Sequence, residues 1–223
     1  VGSAGKIYAM EPEPRNFDLL QENIKLNQVE AIVESFHMGA SDSQGVGKLY
    51  LSKYSNIHSF LSHDDEDPDN SHFVEVLLTD VSTFVQGKRP VDMLRMDIEG
   101  YEVEVIQGLE KAIKDGSFSG RILFECHFPR YVEETHSMKK PLQMLIEQGY
   151  HARYLTSGDE SKPRIRARGY EPMAVVQFDD KRFRGIYENV ADNDLLSLVC
   201  ETGGVRDVMM EKVKTESAQG LPV

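Results

Sequence analysis

The sequence contains no tryptophan and only two cysteines, Cys126 and Cys200, in 223 residues. Two distant thiols make neither a zinc-ligand spacing nor a disulfide framework. A reduced, cytoplasmic setting is therefore expected. No apolar run approaches the ~20 residues that span a bilayer, and no secretory leader is visible. Basic residues are in deficit: 25 Lys and Arg against 37 Asp and Glu leave a formal net charge of −12. That excludes a general binder of phosphate backbones, which needs a basic surface. The aromatic-basic pattern of a single-strand nucleic-acid groove is missing too. There is no internal repeat. The acidic run over 63–69 lacks the spaced ligands and glycine of an EF-hand loop and reads as solvated.

The hydrophobic fraction of 40% and charged fraction of 28% are those of an ordinary globular protein. Length fits one domain, taken as residues 1–214, with 215–223 as a disordered tail. The first residue is Val1 rather than Met, only a few positions before an interior-type strand, so a trimmed N-terminus is expected. Nothing in the pattern fixes an oligomeric state.

Residues 91–102 organise the rest. An apolar strand over 92–96 leads to Asp97, Glu99 and Gly100, and a helix follows with Val103, Ile106, Leu109 and Ile113 on one face. Positions two apart in a strand project to one side. Asp97 and Glu99 would thus share a pocket if extended geometry reaches Glu99. They sit at a strand's carboxyl end, where open α/β sheets bind ligands. The plainer reading has Asp97 capping the helix and Glu99 solvated. The strand over 121–127 ends in Glu125, Cys126 and His127. If it neighbours the first, His127 is a candidate base or orienting group; a structural histidine is the other reading.

Upstream, a strand over 6–11 ends at Glu11, and Pro12 and Pro14 precede a helix over 16–27 with Phe17, Leu20 and Ile24 on one face. An acid in that place can accept from the two hydroxyls of an adenosine ribose; a solvated turn residue is the alternative. A strand over 30–39 should end in the small-polar turn Gly39, Ala40, Ser41 and Asp42. Such a turn lets a flat ring approach the backbone, with Asp42 accepting from an amine, or it is simply a loop. An edge strand over 48–51 precedes a polar segment with Asn56, His58 and Ser59. A strand over 73–78 and a short helix over 81–85, capped by Thr79 or Asp80, follow. Later come a helix over 138–148, strands over 151–155 and 173–178 around a polar loop, and short helices over 190–200 and 205–213.

The stretches 7–14, 23–27, 39–42, 55–59, 95–102 and 124–127 together resemble the FkbM family of S-adenosylmethionine-dependent methyltransferases, over roughly Gly5 to Tyr154. The resemblance implies an α/β fold. Its core would be a Rossmann-like class I methyltransferase sheet, mostly parallel with a C-terminal antiparallel strand, here without the family's first strand and glycine-rich loop. It implies S-adenosyl-L-methionine as cofactor and O-methylation of a small molecule, sugar or lipid. By it, Glu11, with Pro12 beside it, meets the donor's ribose, and Ala40, Ser41 and Asp42 border the adenine. Asp97 and Glu99 lie near the methyl group, and His127, Asn56 and His58 face the acceptor. No metal is assigned, although a hard cation bridging Asp97, Glu99 and His127 is chemically allowed. Two alternatives stand beside this: a non-catalytic Rossmann-like binding domain, and a nicotinamide-dependent oxidoreductase. The latter is weakened by the lack of a Tyr-x-x-x-Lys pair.

Overall fold

The computed structural model describes residues 1–54, 57–61 and 72–213. Asn56, the acidic run over 63–69 and the tail over 215–223 lie outside the described residues. The chain divides into two compact units: Val1–Arg89 with Asp97–Phe118, and Pro90–Met96 with Ser119–Val223.

In the first unit, β1 (Ile7–Met10) leads through α1 (Pro14–Leu26) to β2 (Val33–Phe36). The two strands are parallel, from Ile7 opposite Val33 to Met10 opposite Phe36. The helix starts where the prolines place it. The Glu13 side chain accepts from the Asn16 N–H at 2.7 Å, and Pro14 needs no partner at the first turn. Tyr8, Phe36 and Phe84 meet edge to face or tilted, and the Lys88 ammonium lies 4.5–4.8 Å from all three ring centres.

A second sheet holds β3 (Gly39–Ser41), β4 (Gly45–Tyr50) and β5 (Phe73–Asp80), ordered β3-β5-β4. Here the structure corrects the sequence reading. The strand expected to run to Gly39 stops at Phe36, and the small residues expected as a turn form β3. Its parallel ladder with β5, Gly39 opposite Leu78 to Ser41 opposite Asp80, satisfies backbone groups without any help from side-chain bulk. Asp80 caps α2 (Val81–Phe84), accepting from the Thr83 N–H at 2.7 Å.

The helix α3 (Glu102–Lys114) buries Val103, Val105, Ile106, Leu109, Ala112 and Ile113. Gly108 sits mid-helix, where glycine is costly. Close approach explains it: a Cβ there would lie 2.1 Å from the Ser41 carbonyl oxygen. The Ser82 hydroxyl of α2 donates to the Gly108 carbonyl at 2.6 Å and accepts from the Ala112 N–H at 2.9 Å. These are groups that a plain helical ladder would join to each other.

The second unit is built on one six-stranded sheet, ordered β6-β7-β11-β8-β10-β9. Its members are β6 (Met93–Met96), β7 (Arg121–Glu125), β8 (Tyr150–Ser157), β9 (Ala174–Gln177), β10 (Phe183–Glu188) and β11 (Val205–Lys212). The helices α4 (Lys139–Glu147) and α5 (Asp192–Ser197) belong to the same unit. β6 and β7 are parallel neighbours, with Met96 opposite Phe124. β11 runs antiparallel to both β7 and β8, and β10 antiparallel to β8 and β9. Pairing in the chain is thus mixed.

The helix expected over 205–213 is β11, a central strand. Its buried residues, Val205, Val208 and Met210, do not alternate. Register shifts between Val205 and Asp207 and between Met209 and Met210 break the two-residue period and leave a spacing that imitates a helix. The strand β10 was not foreseen, since Gly185 interrupts its apolar pattern. Among the described residues, no helix is long and apolar enough to cross a membrane.

Candidate functional site

A strand ends in a tight turn over 97–101. β6 stops at Met96, and extended backbone does not reach Glu99. Glu99 and Gly100 both have left-handed backbone, φ 56° and 100°. The Ile98 carbonyl accepts from the Tyr101 N–H at 3.3 Å, closing a turn of the I′ kind. Strand alternation therefore cannot be what sets the directions of Asp97 and Glu99. Gly100 suits this backbone. Glu99 does not, since a left-handed residue with a Cβ costs roughly 1–2 kcal/mol.

Several contacts hold the turn. Glu102, fully buried, turns its Oε1 back to the N–H of Ile98 at 3.2 Å and of Gly100 at 3.4 Å. The buried Ser59 hydroxyl donates to the Glu99 carbonyl at 3.2 Å. The Tyr101 hydroxyl lies 3.0 Å from Ser41 Oγ. Ser41 in turn donates to Asp42 Oδ1 at 3.2 Å, so the proton between Tyr101 and Ser41 comes from the tyrosine. Burial pushes the Tyr101 hydroxyl above its ordinary value, and the Glu104 and Asp42 carboxylates add to this against the Ser41 bond. Tyr101 stays a donor at neutral pH. The Phe60 ring lies 4.8 Å from that of Tyr101.

Of the residues singled out in sequence, Ser41, Asp42, His58, Asp97 and Glu99 all belong to the first unit. Ser41 and Asp42 are joined through Tyr101 to the turn that carries Asp97 and Glu99. His58 adjoins Ser59, and its Nδ1 accepts from the Ser52 N–H at 2.9 Å, which puts the ring proton on Nε2. Ala40 is the middle residue of β3. Asp97 is exposed, following the end of β6.

Glu11 closes β1, with its own N–H donating to the Phe36 carbonyl at 3.1 Å. Its Oε1 accepts from the Glu13 N–H at 2.8 Å, a bond spanning Pro12. Burial raises the Glu11 carboxyl above its usual range. The Glu13 carboxylate raises it further, while the Glu13 N–H and His37 oppose the rise.

His127 belongs to the second unit. Its Nε2 lies 3.5 Å from Glu125 Oε1, and Glu125 also pairs with Arg206 of β11. The His127 N–H donates to the Tyr131 hydroxyl at 3.2 Å. Glu125 thus orients the imidazole, a carboxylate–histidine arrangement suited to either structural or proton-accepting work.

Tyr101 and Glu102 were given no role in the sequence reading, and Ser59 was noted there only as part of a polar segment. Tyr101 and Glu102 stand in the same motif as Asp97. A signal for Glu102 was available, since an acid at the first position of a helix, two residues after a glycine, can turn back to cap the preceding loop.

A family model described as the methyltransferase FkbM domain matches residues 1–152. Among solved structures, the methyltransferase FkbM from Methylobacillus flagellatus KT is similar at 14% identity and a TM-score of 0.37, covering 55% of this chain and 26% of that one. The chain therefore spans about a quarter of the length of that solved relative. A comparison with curated proteins gave no match.

Proposed function

Since the chain belongs to the FkbM methyltransferase domain family, we propose that it forms part of an enzyme moving a methyl group from S-adenosyl-L-methionine to a hydroxyl oxygen of a small molecule, sugar or lipid. The observation that carries this reading is the Tyr101–Ser41 bond. It ties the end of β3, with its small residues and Asp42, to the turn bearing Asp97 and Glu99.

The donor set fits the cofactor. Glu11 offers a strand-end carboxylate, the acceptor that ribose hydroxyls need. Pro12 keeps the chain beside it rigid. Ala40 and Ser41 present little bulk to a flat ring, and Asp42 accepts from an amine. When bound, the donor supplies a methyl carbon on a positively charged sulfur, already activated. The chain has two further tasks: aligning a hydroxyl oxygen and taking its proton. Asp97, Glu99 and His127 are the groups that can accept that proton, and His58 Nε2 and Asn56 are the donors proposed for the acceptor molecule. The two cysteines are free thiols, in keeping with a proposed reduced, cytoplasmic setting.

The test uses calorimetry and radiolabelled donor. S-adenosyl-L-methionine should give a binding isotherm and NADH none; heat from NADH alone overturns the proposal. Asp97→Asn and Glu99→Gln should each lower turnover about 100-fold, within the usual range for a proton acceptor, and change donor affinity less than about threefold. Full turnover in both removes these carboxylates from the chemistry.

A further inference from the structure

We infer that Glu102 is a positioning residue for methyl transfer, holding Glu99 in a backbone state that side chains other than glycine avoid. The inference rests on the function proposed above. It starts from a mismatch. The first central position of the I′ turn, with φ 56°, is the place for asparagine, aspartate or glycine, yet it carries a glutamate. A left-handed residue of this kind persists only where its surroundings over-determine it, and such residues cluster at functional sites. The surroundings here are specific. Glu102 is fully buried, and one of its oxygens receives the N–H groups on either side of Glu99, from Ile98 and Gly100. Ser59 fixes the Glu99 carbonyl from the other side.

A bond to both neighbours of one residue fixes the direction in which that residue's side chain leaves the backbone. Glu102 thereby sets the direction of the Glu99 side chain, and with it the start of the turn at Ile98. A buried carboxylate whose task was only to begin α3 would bond the first helical N–H groups. This one reaches backward, past the helix start, into the loop. Its position in the chain fits the role, since Glu102 is the first residue of α3 and inherits the rigidity of a helix whose inner face is buried.

The experiment compares wild type, Glu102→Gln, Glu102→Ala and Glu102→Asp in the 223-residue chain. Amide hydrogen exchange is read at Ile98 and Gly100, with Leu109 in α3 as the internal control. The alanine and aspartate variants should exchange at least tenfold faster at Ile98 and Gly100 and unchanged at Leu109, while glutamine, which keeps an acceptor oxygen at the same reach, should stay near wild type. In the transfer assay, alanine and aspartate should lower kcat about 100-fold with the donor KM within threefold, and glutamine should restore kcat to within tenfold of wild type. Should the alanine variant not fold, aspartate carries both arms, since its shorter arm withdraws the oxygen. Unchanged exchange at Ile98 and Gly100, or a folded alanine or aspartate variant with wild-type kcat, overturns the inference. A wild-type chain that transfers no methyl group sinks the functional reading instead, and the exchange arm still decides whether Glu102 holds the turn.

Discussion

Glu11 is caught between burial and charge, and this makes it testable apart from the rest. Its carboxyl is raised by burial, so the protonated form is the one that folding favours. That favourable contribution is complete below the unfolded carboxyl range and is lost as pH rises through the higher folded value. Glu11→Gln should therefore melt no lower than wild type at about pH 7.5, with any gain shrinking on acidification as the wild-type acid protonates. The same variant should weaken donor binding about tenfold to 100-fold, the usual worth of hydrogen bonds to a charged group. Calorimetry and thermal melts on one preparation separate the two effects. Cys200 gives a second residue-scale prediction. Burial pushes its thiol up to about 12, ahead of an opposing Lys139. Its thiolate is scarce at neutral pH, so alkylation of the folded chain at about pH 7.5 should leave Cys200 largely unmodified until denaturant is added. At this scale the sequence marked the turn that carries the proposed acids but not its backbone shape. The acids and glycine of 97–100 mark a strand end, whereas the reversal at Glu99 depends on a buried partner three residues later and on Ser59, 40 residues away.

Helix α3 is the element on which the first unit's turn and β3 both depend. Gly108 is the point of closest approach, and a methyl group there would collide with the Ser41 carbonyl. Gly108→Ala should thus destabilise by about 1–3 kcal/mol, the usual cost of overpacking, although alanine is the better helix former. Chemical denaturation measures the change. A stabilised variant would show that the helix can retreat without loss. Elements with an unbroken period announced themselves in sequence, among them β1, α1, α3, β6 and β7. Each has its apolar residues where a single geometry puts them. β3 escaped because glycine, alanine and serine carry no strand preference, and its existence is owed to the neighbouring β5. β11 escaped because its two register shifts reset the alternation midway, so that Val205 and Val208 look like successive turns of a helix.

At the scale of the whole chain, the family match ends at residue 152, inside β8. The structure does not end its sheet there. β11, from far downstream, lies between β7 and β8. A chain cut after residue 152 should lose the partner that β7 and β8 share and expose both inner edges. Circular dichroism should show strand content lost beyond the deleted residues, and limited proteolysis should degrade 119–152 quickly. A cut chain that resists protease there would mean that β7 and β8 can meet directly. The placement of β11 also sets a timetable for a nascent polypeptide. Everything in the first unit has been translated by Phe118, so it can condense while the ribosome is still at work. The other sheet must wait with a vacant slot at its middle until β11, roughly 50 residues beyond β8, has been made. During that interval chaperones would find their substrate in the strands flanking the slot rather than in the part already made.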